Sequence, residues 1–71
     1  MNFKEEYNKL LAREKKAESY LMDERVPVEE REKWLPEYLR IVQQLGHMIY
    51  EYTQQGFNIT VDEELNGFKD I

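Results

Sequence analysis

The chain has 71 residues, with 10 Lys and Arg against 15 Asp and Glu, a net charge of −5, and no cysteine. Without cysteine there can be no disulfide framework, no thiolate nucleophile and no Cys-based metal site. The excess of acidic over basic residues argues against direct binding of nucleic acid. The apolar stretches are too short for a signal peptide or a membrane-spanning helix, so we predict neither. We therefore expect a single cytoplasmic domain over residues 1–71.

The first predicted element is an amphipathic helix over residues 2–22. Asn2 suits the N-cap, and apolar residues recur along one face at spacings of three, four or their sums; these are Phe3, Tyr7, Leu10, Ala17 and Leu21. Glu14 interrupts that face. It either marks a solvated edge of the helix or is a polar residue inside a helix–helix contact, where it would fix the register.

Two further helices are predicted before residue 56. Pro27 suits the first position of a short helix over 27–34. Pro36 predicts a kink or a short break, because a proline inside a helix removes a hydrogen bond and disfavours helical geometry at the preceding residue. An unbroken apolar series predicts a long helix over 36–55, ended by Gly56; its members are Leu35, Tyr38, Val42, Leu45, Ile49 and Tyr52.

The C-terminal residues 57–71 predict an extended stretch followed by a short helix. Thr60 and Glu63 form a capping box, and Asn66-Gly67 predicts the end of a helix too short to be stable alone in water. This segment either docks on the other helices through Leu65 and Phe68 or stays mobile. The predicted fold is all-α: a small antiparallel helical hairpin or three-helix bundle with a short C-terminal helix.

No pattern in the sequence predicts catalysis. His47 is the single histidine, and no cysteine is present to join it, so an exposed surface histidine is a simpler interpretation than a catalytic base. The acids of residues 62–64 lack the spacing and the central glycine of a calcium loop, and acids at a helix N-terminus explain them. We expect no enzymatic activity, no cofactor and no bound metal.

Residues 41–61 carry a single charge, Glu51. Interface cores are poor in charge and rich in tyrosine, unlike ordinary solvated helix faces. The region is thus either a central helix covered by its own chain, or a surface that binds another protein or a second copy of the chain. The candidate partner-binding residues are the outward positions of this helix together with two phenylalanines, namely Gln43, His47, Tyr50, Gln54, Phe57 and Phe68.

Self-association is a second expectation. Chains this small usually need disulfides, a metal or an oligomeric interface to supplement a small core. With no disulfide and no metal expected, we predict a homodimer formed through part of the 41–55 helix.

The stretch from Glu32 to Tyr38 and the closing pattern from Thr60 to Phe68 resemble small helical proteins encoded by phages and prophages of Gram-positive bacteria. The resemblance implies a protein that binds and blocks a host or defence protein in the host cytoplasm, and it carries over no functional residue. We therefore expect a non-enzymatic protein-binding module, such as a phage-encoded inhibitor or regulator. The alternative is an acidic nucleic-acid mimic or a small accessory factor of a nucleic-acid-processing complex. A mimic would lose affinity steeply with salt.

Overall fold

The computed structural model describes residues 2–70, which form three helices: α1 (Phe3–Leu21), α2 (Val28–Gln54) and α3 (Val61–Asn66). The structure is 75% helical, and no strand occurs between residues 2 and 70. α1 and α2 pack as an antiparallel hairpin, since Phe3 stacks on Tyr52 at one end with ring centroids 4.1 Å apart. The predicted all-α hairpin is confirmed. None of the helices within 2–70 combines the length and apolarity needed to cross a membrane.

α1 begins and ends close to the predicted positions. The Asn2 side chain accepts a hydrogen bond from the Lys4 amide at 2.9 Å and so caps the first turn. After Leu21 the chain turns back to α2, and Arg31 holds this turn by donating from Nη2 to the Asp23 carbonyl at 2.7 Å.

α2 is a single helix that runs through Pro36. The predicted division into helices over 27–34 and 36–55 is therefore wrong. At about 100° per residue, Pro36 lies on the side of α2 opposite the buried Ile41 and Leu45. The hydrogen bond that proline removes is thus lost on the solvent side, where water can replace it.

Glu14 lies in the contact between α1 and α2, where it binds the hydroxyl group of Tyr38. The Tyr38 hydroxyl donates to Glu14 Oε1 at 3.0 Å, and Glu18 Oε2 lies 3.4 Å away. Burial, followed by these carboxylates, raises the pKa of Tyr38 to about 12. Glu14 is half-buried and bridges α1 to α2, so it belongs to the helix–helix contact, where a polar pair favours one register.

The core lies where all three parts of the chain meet. Its buried side chains come from α1, α2 and the residues after α3, and they are Tyr7, Leu11, Ile41, Leu45 and Phe68. Half-buried apolar residues surround this cluster, including Phe3, Leu10, Met48 and Tyr52. Each fully buried side chain of this size contributes about 1.5–3 kcal/mol through the hydrophobic effect.

The C-terminal segment docks on the hairpin. The predicted capping box of α3 is present, since Glu63 N donates to Thr60 Oγ1 at 3.1 Å and Thr60 N donates to Glu63 Oε1 at 2.9 Å. Docking through Phe68 is confirmed, because that ring is only 5% exposed. Docking through Leu65 is wrong, because its side chain is 60% exposed. The chain changes direction at Gly67 (φ +91°), and this turn directs Phe68 rather than Leu65 into the core.

Candidate protein-binding surface

Four of the predicted partner-binding residues lie together on α2. Gln43, His47, Tyr50 and Gln54 are all exposed, and their spacing of four, three and four places them in a strip along one face of the helix. This face is opposite the buried Ile41 and Leu45. None of residues 2–70 covers it, so the interpretation of these four positions as internal is wrong. We call these four residues the α2 strip.

Tyr50 is the largest side chain of the α2 strip, and it is 61% exposed. It takes no part in the aromatic cluster around Phe68 that stabilises the fold. Its phenol can contribute contact area and a hydrogen bond to a partner without loss of packing inside the chain.

His47 forms an exposed pair with the one acid of the region. Its Nε2 lies 3.0 Å from Glu51 Oε1, one helical turn later, and both side chains are more than 60% exposed. This arrangement is typical of a helix surface, where an exposed pair contributes little to stability. It lacks the enclosed, positioned partner that a general base requires.

Phe57 lies at the C-terminal end of α2 and is 52% exposed. One face of its ring stacks on Tyr52 with centroids 4.8 Å apart, and Tyr52 stacks in turn on Phe3 at 4.1 Å. Phe57 is therefore held in position from inside while its outer face meets solvent. It lines a groove with Glu51, Tyr52 and Gln55 on the side of Phe3, so the structure does not bring it together with the α2 strip.

Phe68 does not belong to this surface. It is 5% exposed and packs edge-on against Tyr7 and Tyr52, with ring centroids 5.6 and 6.1 Å apart. The prediction that Phe68 contacts a partner is therefore wrong, because the core of the chain already buries its ring. The sequence could not distinguish a docked from an exposed phenylalanine after so short a helix.

A groove between α1 and α2 borders the α2 strip. Gln43, His47 and the apolar Met48 line it from α2, and the apolar Leu10 lines it from α1. Three bases border the same groove, namely Lys9, Arg13 and Arg40, against one acid, Glu6. None of these bases was among the partner-binding residues predicted from the sequence. A signal for them was present in the sequence. Lys9 and Arg13 are four residues apart and so share one face of α1, and the antiparallel pairing of α1 with α2 brings that face beside Gln43.

The acids of the C-terminal segment are partly neutralised. Lys4 donates to Asp70 Oδ2, and this hydrogen bond lowers the pKa of Asp70 and raises that of Lys4. Lys69 Nζ lies 3.6 Å from Asp62 Oδ2. These exposed pairs interleave positive with negative charge, so the segment does not present a continuous acidic array.

No protein-family model matches this chain, and no curated protein or solved structure is significantly similar to it.

Proposed function

We propose that the protein is a non-enzymatic protein-binding module that occludes a surface of its partner, as a phage-encoded inhibitor or regulator of a host or defence protein would. The observation that supports this proposal is the exposed and uncharged α2 strip, with Tyr50 at 61% exposure. Tyrosine is enriched at interface centres because it offers a large, rigid contact area and a hydroxyl group. Glutamine adds hydrogen bonds without the desolvation cost of a charge.

The groove beside the α2 strip indicates the chemistry of the partner. Lys9, Arg13 and Arg40 border an apolar floor that includes Leu10 and Met48. A partner surface with an apolar centre and acidic flanks fits this arrangement. The bases would mainly accelerate encounter and select the partner, whereas the apolar contacts and Tyr50 would supply most of the affinity.

A matched pair of tyrosine substitutions tests this proposal. The full chain is immobilised and exposed to a lysate of a Gram-positive bacterium, and retained proteins are identified for the wild type, Tyr50→Ala and Tyr20→Ala. Tyr20 is also exposed (42%) but lies on α1, away from the α2 strip. A protein retained by the wild type and Tyr20→Ala should be lost with Tyr50→Ala, because truncation of a central aromatic residue costs about 2 kcal/mol or more of binding energy.

Circular dichroism of each variant separates binding from folding. Tyr50→Ala should keep the wild-type helical spectrum, because this side chain is mostly exposed. Retention of the partner by Tyr50→Ala would contradict the proposed surface. Unfolding of this variant would contradict it as well, since Tyr50 would then be a structural residue.

The alternative function, mimicry of nucleic acid, has less support. Two acids of the C-terminal segment pair with lysines, Asp70 with Lys4 and Asp62 with Lys69. Salt response distinguishes the two functions. A complex based on the uncharged α2 strip should persist at about 1 M salt, where charge interactions are screened beyond roughly 3 Å. A mimic bound in a basic groove should dissociate under that condition.

A further inference from the structure

A second face of α2 is apolar and uncovered. Val28, Leu35, Leu39 and Val42 are 63%, 45%, 50% and 40% exposed, respectively. Their positions, continued by Gly46 and Ile49, follow the alternating three- and four-residue spacing of a coiled-coil seam, with only Glu32 as a polar interruption. We call this face the α2 seam. It lies roughly a quarter turn around the helix from the α2 strip, at about 100° per residue.

Gly46 is the least expected member of the α2 seam. A helix is less stable with glycine in its interior than with alanine. A glycine at this position is therefore expected to have a packing reason. The described part of the chain, residues 2–70, provides none, because a Cβ atom at residue 46 would meet nothing within 4 Å. The open space over Gly46 lies next to Val42 and the exposed Leu65, which line the same shallow groove.

The surface area of the chain is larger than that of a compact monomer. Its accessible surface is 5597 Å², whereas a folded monomer of 8.7 kDa is expected to expose about 4,700 Å². The excess, roughly 900 Å², follows from the elongated shape of the hairpin, 43 × 22 × 20 Å, which leaves enough surface for the ~800 Å² that each partner buries in a stable interface of standard size. Half-exposed apolar side chains on the α2 seam contribute to this excess.

We propose that a second copy of the chain packs its α2 antiparallel across the α2 seam, with the twofold axis between Leu39 and Val42. Twofold symmetry then brings each residue and its counterpart together reciprocally. Leu39 meets Val42 of the partner subunit, and Leu35 fills the open space over the partner's Gly46. The large Leu35 side chain thus packs against a glycine. This contact gives Gly46 the packing reason that it lacks within a single chain.

The charge distribution along α2 selects the antiparallel orientation. Residues 28–40 carry seven charged side chains, and residues 41–54 carry one, Glu51. An antiparallel pair sets the charged half of one helix beside the uncharged half of the other. A parallel pair would set Glu32 against its own copy and would leave Gly46 facing Gly46, with like charges repelling and a gap at the centre.

This dimer is independent of the proposed protein-binding function, because the α2 strip faces another direction. It also differs from the interface expected over 41–55, with which it shares Val42, Gly46 and Ile49. The α2 seam is centred on the first half of the helix, whereas the region expected from the sequence is centred on the second half.

Sedimentation equilibrium of the full chain from micromolar to millimolar concentration tests the proposal. The wild type should form dimers. Leu39→Glu places two like charges beside the twofold axis and should give a monomer with an unchanged helical spectrum. Val61→Glu is the matched control, because Val61 is 70% exposed on α3 and lies outside the α2 seam, so this variant should remain dimeric. A monomeric wild type, or a dimer insensitive to Leu39→Glu, would overturn the proposal.

Gly46→Ala provides a test that does not depend on the folding of Leu39→Glu. In a single chain this change meets open space and replaces glycine with the best helix former, so the helix content should not fall. In the proposed dimer the new methyl group occupies the space that the partner's Leu35 fills. The dissociation constant should therefore rise, by about tenfold for a loss near 1.4 kcal/mol. An unchanged or lower dissociation constant would contradict the packing.

The orientation is tested with a spin label, because the chain has no cysteine and Val28→Cys creates a unique attachment site. In the antiparallel dimer, the two labels are separated by the rise of about 25 helical residues, or roughly 38 Å. In a parallel dimer they would lie close to each other near one end. A short distance would refute the antiparallel arrangement.

Discussion

The side chain of Asn8 binds the backbone of the C-terminal segment through two hydrogen bonds. Its Nδ2 donates to the Phe68 carbonyl at 2.9 Å, and its Oδ1 accepts from the Phe68 amide at 2.8 Å. Gly67 permits this close approach, because a Cβ atom there would lie 2.7 Å from Asn8 Oδ1. Gly67 also adopts φ +91° and ψ 170°, a conformation that is almost exclusive to glycine. A side chain at residue 67 would therefore strain the backbone and displace Asn8 at the same time.

Gly67→Ala should reduce the free energy of unfolding by about 2–4 kcal/mol, as the sum of backbone strain and a weakened hydrogen-bond pair. Gly56→Ala is the control, because Gly56 also has a positive φ of +95° but a Cβ atom there meets nothing within 4 Å. That variant should lose only the backbone term, about 1–2 kcal/mol. Urea unfolding followed by circular dichroism measures both values. Equal losses in the two variants would show that Asn8 does not hold the segment.

At the scale of the elements, α2 shows how the position of a proline decides its effect. Without an amide hydrogen, Pro36 leaves the Glu32 carbonyl without its helical donor. Both residues are exposed, so water can bind the carbonyl and the helix continues. The same proline on the buried side would leave a polar atom unsatisfied inside the core, at a cost of about 1–3 kcal/mol.

Pro36→Ala should stabilise the protein. A proline in a helix interior costs about 3 kcal/mol relative to alanine, and roughly 1 kcal/mol of this is offset because proline restricts the unfolded chain. We expect a gain of about 2 kcal/mol in the free energy of unfolding, with no loss of helical signal; urea titration provides the measurement. A loss of stability would mean that the geometry imposed by Pro36 is required for α2 to meet the 22–27 turn.

The sequence predicted those features of the elements that local patterns determine. Apolar spacing located α1 and the long part of α2, and the Thr60–Glu63 pair located the start of α3. Periodicity puts Pro36 on the same outward face as Gln43, seven residues later, but the local rule that proline interrupts a helix outweighed this and gave a kink or break that α2 does not need where water can replace the lost hydrogen bond. The burial of Phe68 was undetermined because it depends on Asn8, which lies 60 residues away. The outward direction of the α2 strip followed directly from helical periodicity.

At the scale of the whole molecule, two tyrosine hydroxyls join the helices. Tyr7 donates to the Glu64 carbonyl of α3 at 2.6 Å, and Tyr38 joins α2 to Glu14 of α1 at 3.0 Å. Burial, followed by nearby carboxylates, raises the pKa of both hydroxyls, that of Tyr38 to about 12. The folded state therefore retains these protons more tightly than the unfolded chain, in which a tyrosine titrates near 10.

Stability should consequently fall in alkali. The contribution of the two tyrosines is fully present below about pH 10 and is lost as the pH rises toward about 12. Lys4 adds to the same trend, because its hydrogen bond to Asp70 raises its pKa. Urea midpoints measured across this range should decline, and Tyr38→Phe should flatten the decline. Identical pH profiles for the wild type and Tyr38→Phe would contradict the role of this hydroxyl.

The aromatic side chains are divided between the two ends of the hairpin. Phe3, Tyr7, Tyr52, Phe57 and Phe68 cluster at one end, while Trp34, the single tryptophan, lies near the other end beside Tyr20 and Leu21. The length of α1 separates these ends by about 28 Å. Tryptophan fluorescence therefore reports on the loop end of the hairpin, and the near-ultraviolet dichroism of Tyr7 and Tyr52, the two tyrosines of the cluster, reports on the end where α3 docks. Two spectroscopic signals from one unlabelled chain thus reveal whether the C-terminal segment is released before the hairpin opens or together with it.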